Sequence, residues 1–185
     1  MGLTAGYDID QKMQEWRING FVVFEDMIPH EKIDRIREAW IPVRDRDIER
    51  QGDHPFRGFR RYNVRVPFTR PFVDPEIFEH PALVAFMERA LGPDYVWSHF
   101  DSNIPLPGTD YQTWHRDGQV ALYPGIKTPA LAVGVKFPLV DTNERTAVSR
   151  CFLARSISGT KTCWTTWTTF SAPAKTGSVP TIPRV

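Results

Sequence analysis

The stretch Gln112-Thr-Trp-His115-Arg-Asp117-Gly118 carries an imidazole and a carboxylate two residues apart. On a strand, whose side chains alternate with a period of two, both groups point to one face. Such a pair can be half of a metal site. Two imidazoles and one carboxylate on one face of an iron leave three coordination positions open, which suits O₂ chemistry with a chelating co-substrate. The H-x-D spacing alone is a weak signal, because a histidine beside an aspartate is more often a hydrogen-bonded pair. His99 and Asp101 repeat the spacing without the same flanks, and a structural or supporting role is expected for them. Trp114 is expected to pack on the opposite side.

The preceding chain must position this pair. Asp10 is a candidate N-cap and Gly20 a C-terminal stop for a helix in "DIDQKMQEWRING". "FVVFEDMI" reads as a short apolar strand. A longer helix follows from Pro29, with Ile33, Ile36, Arg37 and Trp40 at helical spacing and Arg37 the imperfect member. Pro42 is expected to interrupt or kink it. A loop leads to a strand near Tyr62–Val66. "HPALVAFMERALG" is an amphipathic helix opened by Pro81 and stopped by Gly92. Beyond it, "DYVWSHFDSNIPL", "YQTWHRD" and "ALAVGVKFPLV" alternate and are rich in β-formers, so they read as strands. Helices first and strands later predict a mainly β, α+β domain with N-terminal helices covering a β-sandwich or jelly roll.

Four segments, in order, resemble the phytanoyl-CoA dioxygenase family of Fe(II)- and 2-oxoglutarate-dependent oxygenases. They are "GFVVFEDMIPHEKIDRIREAW", "HPALVAFMERALGPDY", "PGTDYQTWHRDG" and "VKFPLVDTNE", and the likeness covers about residues 10–144. The resemblance implies a double-stranded β-helix (jelly-roll, cupin-like), Fe(II) as metal and 2-oxoglutarate as co-substrate. It implies His115 and Asp117 as two of three iron ligands. The bound cofactors would supply oxidative decarboxylation to succinate and CO₂, coupled to oxidation of a substrate C–H bond. Gln112 is a candidate cofactor-binding residue in the same pocket, against the alternative of a sheet hydrogen bond.

The family pattern then requires a distal segment, roughly N-G-x₅-P-G-[ST]-H, with the third ligand, and an arginine for the far carboxylate of 2-oxoglutarate. No histidine follows His115. Arg150, Arg155 and Arg184 lack the motif around them. The composition breaks at the same place. All 22 acidic residues lie in residues 1–144, and 145–185 holds none, against about six at the preceding frequency. One event accounts for both. If the last base of each codon is joined to the first two of the next, residues 145–157 can spell "NG…FPGT.H". Cys163–Trp164 must then give Leu, and Trp164–Thr165 and Trp167–Thr168 must give Asp. The histidine recovered this way stands one place later than the family motif has it. Residues 1–144 are therefore read as the N-terminal and central part of one oxygenase domain, incomplete at its C-terminal side. Residues 145–185 are read as an aberrant tail that orders poorly. The alternative for the tail is a divergent, rewritten C-terminus.

The remaining expectations concern partners. A net charge of +1 gives no electrostatic case for nucleic acid, and no apolar run is long enough to span a bilayer. A soluble cytoplasmic chain acting on a small molecule is expected, its oligomeric state unread. Cys151 and Cys163 match no zinc spacing and are too few for a disulfide framework. Arg57, Arg60, Arg61 and Arg65 form a basic cluster that could meet an anionic substrate, the solvated loop being the commoner reading. Three functions stay open: an oxygenase-family chain that does not turn over, an oxygenase with an unconventional third ligand, and a non-catalytic β-helix binding module.

Overall fold

The computed structural model describes residues 4–109 and 132–141, together with the backbones of two short strands, Cys151–Ala154 and Thr162–Thr165. Four helices and two antiparallel strand pairs make up the described chain.

Helix α1 spans Ile9–Asn19 and is capped by Asp8, whose carboxylate accepts from the Gln11 amide at 3.0 Å. The cap expected at Asp10 is thus displaced by two residues. Asp10 lies inside the first turn and pairs with Arg89 of another helix. Gly20 ends α1 as expected, at φ +80°, where its amide bonds the Trp16 carbonyl at 2.7 Å.

The expected strand over "FVVFEDMI" forms no ladder among the described residues. Its alternation is nonetheless expressed as burial. Val22 and Phe24 pack on the core while Phe21 and Val23 stay exposed.

Helix α2, His30–Gln51, runs through Pro42 rather than stopping there. A proline at this position removes one backbone hydrogen bond. Ile36 and Trp40 before it are buried, and Val43 and Ile48 after it pack on the same core, so burial on both sides holds the helix together. Helix α3, Pro75–Phe78, is a single turn that the sequence reading did not anticipate, capped by Asp74 with Pro75 at its first position. Helix α4, Pro81–Leu91, begins and ends where expected, with Gly92 at its C-terminus and His80 Nδ1 accepting the Ala82 amide at 3.3 Å.

Strand β1, Arg61–Arg65, pairs antiparallel with β2, Asp101–Pro105, placing Tyr62 opposite Ile104 and Val64 opposite Ser102. Tyr62, Val64 and Ile104 join Ile36, Trp40, Phe72, Ile77 and Phe78 in one core, and Ser102 is buried as well. A second core joins α1 to α4 through Ile9, Met13, Leu83, Phe86 and Met87. Trp16 and Phe24 set their rings edge-on to Phe86 at 5.7 and 5.5 Å.

A strand is expected over "ALAVGVKFPLV", and its described part, residues 132–140, pairs with no strand among the described residues. The period of two is still present. Val133 and Val135 pack on the second core, and Phe137 and Leu139 on the first. One extended segment thereby spans both clusters. Within the expected tail, β3 (Cys151–Ala154) pairs antiparallel with β4 (Thr162–Thr165).

Candidate functional site

The two ends of the segment that carries His115 are fixed by described contacts. Upstream, β2 runs into a turn at residues 106–109. The Leu106 amide bonds the Arg60 carbonyl at 3.0 Å, and the Thr109 amide bonds the Leu106 carbonyl at 3.1 Å. Thr109 Oγ1 donates to the Phe59 carbonyl at 2.8 Å, and Arg60 Nη1 donates to the Pro107 carbonyl at 3.0 Å. Arg60 holds φ +52°, a left-handed conformation that a non-glycine residue adopts only when its surroundings specify it. Downstream, Leu139 is buried and its carbonyl accepts from Arg37 Nη1 at 3.4 Å. Arg37 is the imperfect member of the apolar stripe of α2. The structure gives it a tie to the Leu139 carbonyl and an ion pair with Asp34 at 2.7 Å.

His115, Asp117, Gln112 and Trp114 themselves lie outside the described residues, as does most of 145–185. On an unbroken strand the even position of Gln112 sets it with Trp114, on the face opposite His115 and Asp117, so parity does not support a shared pocket.

The other four histidines are all described. His30 stands exposed at the start of α2, and His54 lies 5.3 Å from the Phe59 ring. His80 caps α4. His99 is exposed, with its Nδ1 2.9 Å from Ser98 Oγ, and Asp101 is exposed at the first position of β2. Among the described residues no group of three His, Cys, Asp or Glu side chains could hold a metal. The β3–β4 register sets Cys151 opposite Thr165 and Cys163 opposite Leu153, so the two cysteines are not cross-strand partners.

The chemistry of the donor set decides whether iron fits. Two imidazoles and a carboxylate are needed. The H-x-D motif offers one of each, and the sequence has no later histidine.

The basic cluster expected from "RGFRRYNVR" is dispersed by the fold. Arg61 is buried, Arg60 turns to Pro107, and Arg57 and Arg65 are exposed on different elements.

The strongest electrostatic feature of the described chain is structural. Lys32 is buried on α2 and its ammonium lies 2.8 Å from Asp74 and 2.5 Å from Glu76. Burial works against its charge, but the hydrogen bonds and charges of the two carboxylates outweigh that and hold the ammonium above its ordinary range. Burial likewise opposes the Asp74 charge. The Lys32 bond, the Glu76 amide and the Lys32 and Arg70 charges win, and hold its carboxyl below the usual range. The network ties the start of α2 to α3. Burial, with the Asp53 charge, also pushes the Tyr62 phenol up. Its hydroxyl donates to the Gly52 carbonyl at 2.9 Å.

No helix among the described residues is long and apolar enough to cross a membrane. No curated protein and no solved structure matches this chain. The family model for phytanoyl-CoA dioxygenase (PhyH) matches residues 16–148, a span that includes both resembling helices, the QTWHRDG motif and the segment after it. A match over that share of the chain shows the family: this protein belongs to the phytanoyl-CoA dioxygenase (PhyH) family, whose general type is the Fe(II)/2-oxoglutarate oxygenase.

Proposed function

We propose that this chain carries the proximal half of an Fe(II)- and 2-oxoglutarate-dependent hydroxylase site for a small molecule, built on a double-stranded β-helix, and that it does not turn over as written. His115 and Asp117 would supply an imidazole and a carboxylate to the iron. No histidine follows His115 to serve as the distal imidazole, and Arg150, Arg155 and Arg184 lack the motif around the 2-oxoglutarate arginine. When bound, the cofactors would supply oxidation of a C–H bond coupled to loss of CO₂ from 2-oxoglutarate. The observation that carries this reading is the family match, which runs through the H-x-D motif and ends at residue 148, close to where the acidic residues stop.

The missing half is explained by a one-nucleotide change of frame near residue 145. A nucleotide sequence across codons 140–160 whose shifted frame lacks Pro-Gly and a following His would remove that explanation. The functional test compares two chains, the one written here and one whose tail is read in the shifted frame. Only the shifted-frame chain should convert 2-oxoglutarate to succinate with Fe(II) and O₂. Equal turnover by both chains would overturn the proposal, and so would a shifted-frame chain that binds neither Fe(II) nor 2-oxoglutarate.

A further inference from the structure

A shallow cleft of about 610 Å³ follows the edge of β1 that has no strand partner among the described residues, against the last turns of α2. Arg46 and Arg50 reach it from α2, Arg65 from β1, and His54 and Phe56 from the loop between them. One carboxylate, Asp47, lies among these cations, and it is already engaged. Arg50 Nε and Nη2 both donate to its Oδ1, at 2.8 and 2.5 Å, and Gln51 Nε2 donates to its Oδ2 at 3.0 Å. Gln51 Nε2 also donates to the Asn63 carbonyl at 3.3 Å, which holds α2 against the β1 edge. Among the described residues no carboxylate closes an ion pair with Arg46 or Arg65. Asp101, opposite Arg65 across the ladder, does not reach it. Two guanidinium forks from two elements therefore share one cleft with an uncompensated charge.

The second feature is aromatic. Phe56 is 99 % exposed and lines the same cleft. A bare ring beside free guanidinium groups offers stacking for a flat ligand and forked donors for its anionic part.

We propose that this cleft binds a nucleotide, with phosphate oxygens held between Arg46 and Arg65 and the base stacked on Phe56. The site is separate from the His115–Asp117 motif and does not depend on iron, 2-oxoglutarate or the frame of the tail.

The test is calorimetric titration of the full chain, without Fe(II) or 2-oxoglutarate, at low salt. The probes are ADP and inorganic pyrophosphate. Replacing both guanidinium groups (R46A with R65A) should weaken both ligands by about 100-fold, roughly tenfold for each lost charge-assisted contact. Phe56→Ala should weaken ADP about tenfold and leave pyrophosphate unchanged. Arg89→Ala, remote from the cleft on α4, should leave both unchanged. The substituted positions are exposed, and far-UV circular dichroism verifies that each variant folds. Absence of ADP binding below about 1 mM, equal binding by the double variant, or an equal loss in Arg89→Ala would overturn the proposal. An unchanged ADP affinity in Phe56→Ala would overturn the base contact.

Discussion

Replacing Ile104 by alanine tests whether β1 and β2 form the buried frame that leads into the His115 segment. Ile104 is fully buried, opposite Tyr62, which is 2 % exposed. The substitution removes three carbons from the first core. At ~0.8 kcal/mol for each buried methylene, the transfer loss is ~2.4 kcal/mol. The facing rigid elements limit collapse, and a residual void of roughly 40 Å³ at ~24 cal/mol per Å³ adds about 1 kcal/mol. The expected cost is ~3 kcal/mol. In urea, with a slope of about 2 kcal/mol per molar, the unfolding midpoint falls by ~1.5 M. Val96→Ala, at an 80 % exposed position, serves as control and should stay within ~0.5 kcal/mol. A loss below about 1 kcal/mol at Ile104, or equal losses at both positions, would refute the packing argument.

Three further outcomes follow from the described contacts. Asp8→Ala should destabilise by ~1 kcal/mol through loss of the α1 cap, whereas Asp10→Ala, which removes an exposed pair with Arg89, should cost at most about 0.5 kcal/mol in the same urea assay. Lys32→Met should cost ~1–2 kcal/mol at neutral pH, reduced from a fully buried pair because Glu76 is largely exposed. That difference should shrink on both sides of neutrality. The depressed Asp74 carboxyl contributes stability above the ordinary aspartate range and loses it as pH falls through its folded value. The raised Lys32 ammonium contributes below the ordinary lysine range and loses it as pH rises through its folded value. Urea midpoints across acid, neutral and alkaline pH check this, and a constant difference from acid to neutral pH would contradict it.

The helices were the most legible part of the sequence, because their punctuation is local. Pro81 and Gly92 bound α4, Gly20 stops α1, and Pro29 precedes α2. Even Asp74-Pro75, which opens α3, was a signal that could have been read. Two eligible aspartates stood near the start of α1, and only the structure distinguishes cap from salt bridge. Pro42 does not stop α2, because the burial of Trp40, Val43 and Ile48 around it offsets the local cost of a proline. Residues 21–24 and 133–139 show why alternation is not enough for a strand. A period of two records which side chains face the core, and it does not supply a backbone partner. The H-x-D motif was legible through its flanking family segments rather than its own spacing. The cleft lined by Arg46, Phe56 and Arg65 was not legible, because it unites residues from a helix, a loop and a strand edge.

The central claim is that this family member lacks a complete iron site, and anaerobic titration with Fe(II) and 2-oxoglutarate tests it most directly. With one imidazole and one carboxylate available, the chain as written should show no visible charge-transfer band, and on admitting O₂ no succinate above a protein-free control. A band that saturates at one iron per chain, followed by succinate formation, would contradict the account and require a third ligand that the sequence pattern does not reveal.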